Sequence, residues 1–115
     1  MGTHHVAGSQ VVLASASRDA DGQTNAYNWG GFIEGRLLIT VTAITGTDTP
    51  TLTLTPQFSA DNSTFYNTNS AATEITATGQ TSIPLTNFGS YVRVDYALTG
   101  TSPNFTFAIQ WVGKT

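Results

Sequence analysis

Residues 43–54 read Ala-Ile-Thr-Gly-Thr-Asp-Thr-Pro-Thr-Leu-Thr-Leu, and residues 97–107 read Ala-Leu-Thr-Gly-Thr-Ser-Pro-Asn-Phe-Thr-Phe. In both copies a strand pattern ends in Thr-Gly-Thr, a proline follows, and a second alternating run begins. Because glycine and proline mark turns between strands, each copy is interpreted as the tip of a β-hairpin. The two hairpins, residues 36–59 and 90–112, are expected to supply most of the core. Gly46 and Gly100, which close the tips, are predicted to take a positive φ.

The apolar residues of the clear runs alternate with polar ones, and this period of two indicates strands. Pro56 interrupts one run, so that strand is expected to lie at an edge or to carry a bulge. Leu38 and Ile44 break the polar face of residues 36–44, which predicts that this face is partly covered. The alternation assigns these residues to the core: Leu37, Ile39, Val41, Ala43, Leu52, Leu54, Phe58, Ile83, Leu85, Val92, Val94, Tyr96, Leu98, Phe105, Phe107, Ile109 and Trp111.

Seven to eight short strands, separated by Gly, Pro and Asn turns, predict an all-β fold, an antiparallel β-sandwich of the Ig-like or jelly-roll-like kind. A chain of 115 residues suits a single domain. The domain is predicted over residues 11–115, with a first strand at residues 10–16. Residues 1–10 are small and polar without a core pattern, so they are predicted to be a flexible N-terminal arm.

Charge and composition exclude several classes of function. The four Lys and Arg are far apart in sequence, whereas a duplex nucleic-acid binder needs clustered cations. No apolar run approaches the ~20 residues of a membrane span. There is no Cys, so disulfides and thiolate metal sites are excluded. Thr, Ser, Asn and Gly fill polar positions, either because Thr favours strands or because neighbours cover the surface; strand propensity is the favoured cause.

Catalytic and metal sites are not expected, so the chain is predicted to be a non-enzyme without a cofactor. Its two His, His4 and His5, lie in the predicted arm, so a nucleophile with a histidine base in reach is not expected. Asp48 and Asp61 are typical turn formers, and Asp95 is expected to form a surface ion pair with Arg93. The partial calcium-loop pattern at residues 19–22 favours a turn.

Four aromatic residues are the candidates for an interface: Trp29, Tyr27, Tyr66 and Tyr91. If Trp29, Tyr27 and Tyr66 were exposed and coplanar, they would favour a carbohydrate-binding module, because flat aromatic faces stack on ring-shaped ligands. Packing in the core or against a partner is the simpler interpretation.

Five motifs follow one another between Leu38 and Ile109. They are Thr-Ala-Ile-Thr-Gly-Thr and Pro-Thr-Leu-Thr-Leu, then Ser-Ala-Asp-Asn-Ser-Thr-Phe at 59–65, Tyr-Val-Arg-Val at 91–94 and Gly-Thr-Ser-Pro-Asn-Phe-Thr-Phe at 100–107. Their order resembles that of small β-sandwich proteins encoded among the virion genes of tailed bacteriophages, which are capsid decoration or minor structural proteins. The resemblance runs from Leu38 to Ser59 and from Tyr91 to Ile109, and it carries over no functional residue.

The resemblance implies a capsid decoration (cement) protein that is made in the host cytoplasm and binds the major capsid protein on the virion surface. A homo-oligomer is also expected, because residues 1–10 lack a core pattern, the exposed strand positions are Thr-rich, and Pro56 suggests an open or bulged strand edge. A trimer is expected because many capsid sites have local three-fold symmetry. Neither nucleic acid nor membrane is an expected partner. The alternatives are a phage tail or neck component and a carbohydrate-binding β-sandwich module.

Overall fold

A computed structural model describes residues 7–28, 34–67, 72–86 and 90–114. These residues form eight strands and no helix, and every pairing is antiparallel within one hydrogen-bonded sheet. The all-β antiparallel prediction is confirmed, while the Ig-like or jelly-roll-like sandwich stays a prediction. The strands are β1 (Ala7–Arg18), β2 (Gly22–Gln23), β3 (Tyr27–Asn28), β4 (Glu34–Ser59), β5 (Tyr66–Asn67), β6 (Thr73–Ile75), β7 (Gly79–Thr86) and β8 (Tyr91–Lys114).

Two long strands, β4 with 26 residues and β8 with 24, form the frame of the sheet. They pair antiparallel along their whole length, from Glu34 opposite Lys114 to Ser59 opposite Tyr91. The two predicted hairpins are therefore wrong, because residues 36–44 pair with β8 and not with residues 51–59. The prediction of uniformly short strands is wrong for the same two elements. Thr-Gly-Thr and proline mark a change of direction, but they do not encode which distant strand becomes the partner.

Both long strands bend where the two copies of the repeat lie opposite each other. Gly46 and Gly100 have φ of 122° and 114°, which confirms the predicted positive values, and Asp48 and Ser102 two residues later have φ of 61° and 49°. A β-carbon at Gly46 would lie 2.9 Å from the Ser102 carbonyl oxygen, and one at Gly100 would lie 3.0 Å from the Thr47 carbonyl oxygen. Glycine thus allows the close backbone approach that the bend requires.

The bend folds the sheet back on itself. Tyr96 and Phe107 both lie on β8, and eleven residues of straight strand would separate them by about 36 Å. Their rings instead meet edge to face with centroids 5.5 Å apart. Across the same fold, the Tyr27 hydroxyl donates to the Val12 carbonyl oxygen at 3.1 Å, although β3 and β1 pair with opposite ends of β8.

The bend divides the sheet into two parts, which we call the β1 half and the β3 half. The β1 half contains β1 and β7 together with residues 34–45 of β4 and 104–114 of β8. The β3 half contains β2, β3, β5 and β6 together with residues 47–59 and 91–101 of the long strands. In each half, one face of the sheet is turned toward the core, and the other we call the outer face.

Buried side chains from both halves form one continuous core cluster. Most of the core predicted from alternation is confirmed, but Tyr96 and Leu98 pack on the cluster only partly buried, and Phe58 is half-buried. Ala43 is exposed, because the register between β4 and β8 shifts after Val41. The cluster consists of Val12, Leu37, Ile39, Val41, Leu52, Leu54, Ile75, Ile83, Leu85, Val92, Val94, Phe105, Phe107, Ile109 and Trp111.

Pro56 lies in the middle of β4 and is fully buried. On one side it is opposite Val94 of β8. On the other side, the pairing with β6 covers β4 as far as Leu54, and the pairing with β5 covers it from Gln57. Pro56 thus falls between two short partner strands, where its lack of a backbone donor is tolerated.

The N-terminal boundary differs from the prediction. β1 begins at Ala7, and residues 7–10 pair with residues 111–114 of β8. The predicted arm is therefore wrong for residues 7–10, while residues 1–6 lie outside the described residues. Strands pair through their backbone groups, so residues 7–10 can pair with β8 although their side chains carry no core pattern.

Candidate functional site

Two of the acidic side chains that the sequence singled out accept hydrogen bonds from distant parts of the chain. Asp21 Oδ1 accepts the backbone N–H of Leu98 at 2.8 Å, and the Asp48 carboxylate accepts the Thr101 hydroxyl across the bend. Within the described residues, no three His, Cys, Asp or Glu lie close enough to hold a metal ion. None of the same residues forms a helix of the length and hydropathy needed to cross a membrane. His4 and His5 lie outside this part of the chain.

The structure does not bring the predicted interface aromatics together. Tyr27 and Tyr66 lie in one row across the β3 half, with Val92 and Phe58 between them. Residues directly opposite in a sheet share a face, but three strand spacings of ~4.8 Å separate the two tyrosines by about 14 Å. Tyr91 is the next residue along β8, so it points to the other face. Trp29 lies outside the described residues.

Tyr66 is the one described member of this set that is largely exposed, at 61%. Its ring lies 6.3 Å from that of Phe58, tilted by 44°. Tyr27, in contrast, packs against the core and uses its hydroxyl on Val12, while Tyr91 is half-buried. The side-by-side aromatic platform that would favour a carbohydrate module is not formed by Tyr27 and Tyr66.

The outer face of the β3 half carries a polar cluster built around Arg93. The Arg93 guanidinium carbon lies 3.9 Å from the centroid of the Phe65 ring, a cation–π contact. Arg93 Nε donates to Gln57 Oε1 at 2.9 Å, and Gln57 Nε2 donates to Asn67 Oδ1 at 3.1 Å. Sequence reasoning had paired Arg93 with Asp95 and missed this cluster, because the cross-strand register that aligns Gln57 with Arg93 is not visible in either segment.

The turn that presents Phe65 to Arg93 is organised by Asp61. Asp61 Oδ1 accepts the Ser59 hydroxyl at 2.8 Å and the backbone N–H groups of Ser63 and Thr64 at 2.9 and 3.0 Å. The Asp61 backbone N–H donates to Ser59 Oγ at 3.2 Å, so each of these two residues donates a hydrogen bond to the other. Asp61 is thus the Asx-type turn former that the sequence predicted.

These hydrogen bonds give Asp61 a testable pH dependence. The backbone N–H of Thr64, then the Ser59 hydroxyl and the Ser63 N–H, hold the pKa of Asp61 below its ordinary value of 3.8. Because the pKa of Asp61 is lower in the folded state than in the unfolded state, ionised Asp61 stabilises the fold. This contribution is fully present above pH 3.8 and is lost as the pH falls through the folded-state pKa.

We expect the stability difference between the wild type and Asp61→Asn to be largest near neutral pH and to shrink in acid. Asn retains the oxygen acceptor without its charge, so the difference isolates the ionised form. Urea denaturation across the acidic range measures it, and carboxyl NMR titration gives the pKa directly. A difference that stays constant with pH would contradict the assignment.

The outer face of the β1 half carries an aliphatic patch, which we define as Val11, Leu38 and Val112. Val11 is 55% exposed, Val112 is 38% exposed, and Leu38 is half-buried. The register places Gln110 between Val11 and Leu38, with Val112 two residues farther along β8 on the same face. The three side chains therefore surround Gln110 on three adjacent strands.

Polar groups surround the aliphatic patch; most are neutral, but Arg36 lies directly opposite Val112. Arg36 is the described cation nearby, and its Nη1 donates to Ser82 Oγ at 3.1 Å. A shallow depression of about 270 Å³ extends from the patch across β4 to β7. Its lining consists of Leu38, Ile39, Thr40, Gln80, Thr81, Ser82 and Gln110. Hydroxyl and amide groups cost less to remove from water than charges, so a partner can cover the depression at a lower cost than it could cover Arg36.

One member of the patch was visible in the sequence. Leu38 breaks the polar face of its run, which predicted a partly covered surface. Val11 and Val112 were missed, because Val11 and Val12 are both apolar neighbours and only the pairing with β8 decides which of them turns outward.

No model of a known protein family and no curated protein matches this chain.

Proposed function

We propose that this chain is a non-enzymatic virion structural protein of a tailed bacteriophage, a capsid decoration (cement) protein that binds the major capsid protein. The observation that carries the proposal is the aliphatic patch on the outer face of the β1 half. The motif resemblance supplies the class of protein, and the patch supplies the surface through which it would bind.

The energetics of this surface favour attachment in many copies. Covering apolar surface is worth about 25 cal/mol per Å², and the neighbouring hydroxyls and amides oppose it less than charges would. Three aliphatic side chains are nevertheless few beside the ~800 Å² per partner of a stable protein interface. Several linked copies raise the effective concentration at each further site. A homo-oligomer, proposed as a trimer, would therefore bind the capsid tightly where a single copy would bind weakly.

Both outer faces carry charged residues, with Glu34 and Arg36 on the β1 half. Among the described residues, the largely exposed aliphatic side chains, Val11 and Val112, lie on the β1 half. The β3 half presents Arg93, Asp95 and Glu74, and the turn after β4 adds Asp61. Burying such charges unpaired is costly. The proposal therefore directs the β1 half toward the capsid and the β3 half toward solvent.

The test is binding to particles from which this protein has been stripped. We expect Val11→Asp/Val112→Asp to weaken binding by about a hundredfold, since each carboxylate in an apolar contact costs at least the ~1.4 kcal/mol of one tenfold step. Both sites are exposed, so the thermal midpoint should change little. Cosedimentation measures binding, and cryo-electron microscopy of decorated particles locates the protein.

The matched control is Thr76→Asp/Thr99→Asp, which adds the same charge at two exposed positions away from the patch. It should bind as the wild type does. Unchanged binding of the valine double variant would contradict the docking surface. Density at the tail or neck, and none on the capsid, would instead favour the tail-component alternative.

The carbohydrate-binding alternative has one observation in its favour, the exposed Tyr66 ring beside Phe58. Glycan-array binding that disappears in Tyr66→Ala and persists in the valine double variant would support that function over the capsid proposal.

A further inference from the structure

β1 is an edge strand of the sheet. Within the described residues it pairs with β8 alone. A strand of 12 residues with one unpaired side is a template for the addition of another strand. Natural proteins protect such edges with bulges and with inward-turned charged side chains, and β1 has both.

Three alternate carbonyl oxygens of β1 are occupied by side chains of the same chain. The Tyr27 hydroxyl donates to Val12 O at 3.1 Å. Arg18 donates from Nη2 to Ala14 O at 3.1 Å and from Nη1 to Ala16 O at 3.3 Å. Val12 and Ala14 lie at the two register shifts of β1, where no β8 residue is directly opposite. Side chains thus bind the backbone carbonyls of β1 at and beside its bulges.

The Arg18 side chain is also fixed from the core side. Its guanidinium carbon lies 5.4 Å from the centroid of Phe107, a fully buried ring. A planar guanidinium can lie on an aromatic face while its in-plane N–H groups reach two acceptors, a geometry that the compact ammonium group of lysine does not reproduce. Arg18 thus doubles back along its own strand and covers the edge from Ala14 to Ala16.

We propose that Arg18 and Tyr27 close the β1 edge against strand addition, and that the partner they exclude is β1 of a second copy of this chain. Two identical edges placed antiparallel across a two-fold axis present the same groups to each other, so the edge is complementary to itself. With the carbonyls of Val12, Ala14 and Ala16 released, the sheet of the β1 half would continue into the second copy. This inference does not depend on the capsid proposal.

The test compares Arg18→Ala with Arg36→Ala, which removes the same charge from the outer face of the same half. We expect the apparent mass of Arg18→Ala in light scattering to reach twice that of the wild type as concentration rises, whereas Arg36→Ala stays at the wild-type mass. Hydrogen exchange of the β1 amides should slow in the associated form. Arg18→Lys, which keeps the charge but not the two-acceptor geometry, should fall between them.

The combined variant Arg18→Lys/Tyr27→Phe serves if Arg18→Ala does not fold, because it retains both the aliphatic stem and the ring. It should associate more strongly than Arg18→Lys alone. Folded variants that keep the wild-type mass and the wild-type exchange of the β1 amides would overturn the inference. Association that leaves the exchange of β1 unchanged would overturn it as well, because the contact would then lie elsewhere.

Discussion

Leu52→Asp should remove more than about 4 kcal/mol of the free energy of unfolding, because an unpaired carboxylate would be buried. Leu52 is fully buried, with Leu98 opposite on β8 and Ile75 opposite on β6. Small domains are stable by only ~5–15 kcal/mol, so this loss is a large fraction of the total stability, and the urea midpoint should fall sharply. Urea denaturation followed by circular dichroism gives the value.

The control is one residue away on the same strand. Thr53 is half-buried on the outer face, opposite Glu74 and Ala97. Thr53→Asp places two carboxylates opposite each other, which should cost about 1 kcal/mol or less. Equal losses at positions 52 and 53 would show that the two faces of β4 are not distinguished by burial.

Gly35→Ala should destabilise the protein, although alanine normally stabilises a strand interior by roughly 0.5–1 kcal/mol relative to glycine. A β-carbon at Gly35 would lie 2.0 Å from Cη2 of Trp111, and 2.4 and 2.6 Å from two further atoms of its ring. Trp111 is 1% exposed and has little room to move. Overpacking of this kind costs about 3 kcal/mol.

A double-mutant cycle with Trp111→Leu tests whether the clash is the cause. Trp111→Leu alone should destabilise by leaving a cavity, but the added methyl group of Gly35→Ala would then find space. The double variant should therefore be more stable than the sum of the two single losses implies. Strict additivity, measured by denaturation of all four proteins, would contradict the proposed packing of the indole on Gly35.

The repeated motif shows where reasoning from sequence succeeds and where it stops. The positive φ at Gly46 and Gly100 followed from the Thr-Gly-Thr pattern, since this conformation is a local property of the backbone. The hairpins inferred from the same pattern are wrong, because the two copies bend two long strands around each other. A local turn signal is compatible with a hairpin tip and with a bend in a long strand. Only contacts between residues some 50 positions apart, such as Gly46 and Ser102, distinguish the two.

The residues of the candidate surfaces also fall into two groups, those visible in the sequence and those that only the structure shows. Leu38 was visible as an apolar residue on a polar face, and Asp61 as a turn former. The cluster of Arg93, Gln57 and Phe65 was not visible, because it joins a strand to a distant strand and to a turn. The contact of Arg18 with its own edge also required the structure, since it depends on the bulges of β1.

The sequence by itself determined the all-β fold class and the inward face of nearly every run. A period of two assigns a side chain to a face whatever strand lies alongside, so the assignment of Phe105, Phe107, Ile109 and Trp111 to the core needed no partner. Only the tertiary structure decided which strands pair, where the sheet bends and which edge stays open. Backbone hydrogen bonds are the same for every residue except proline, so the choice of partner rests on the packing of the whole chain.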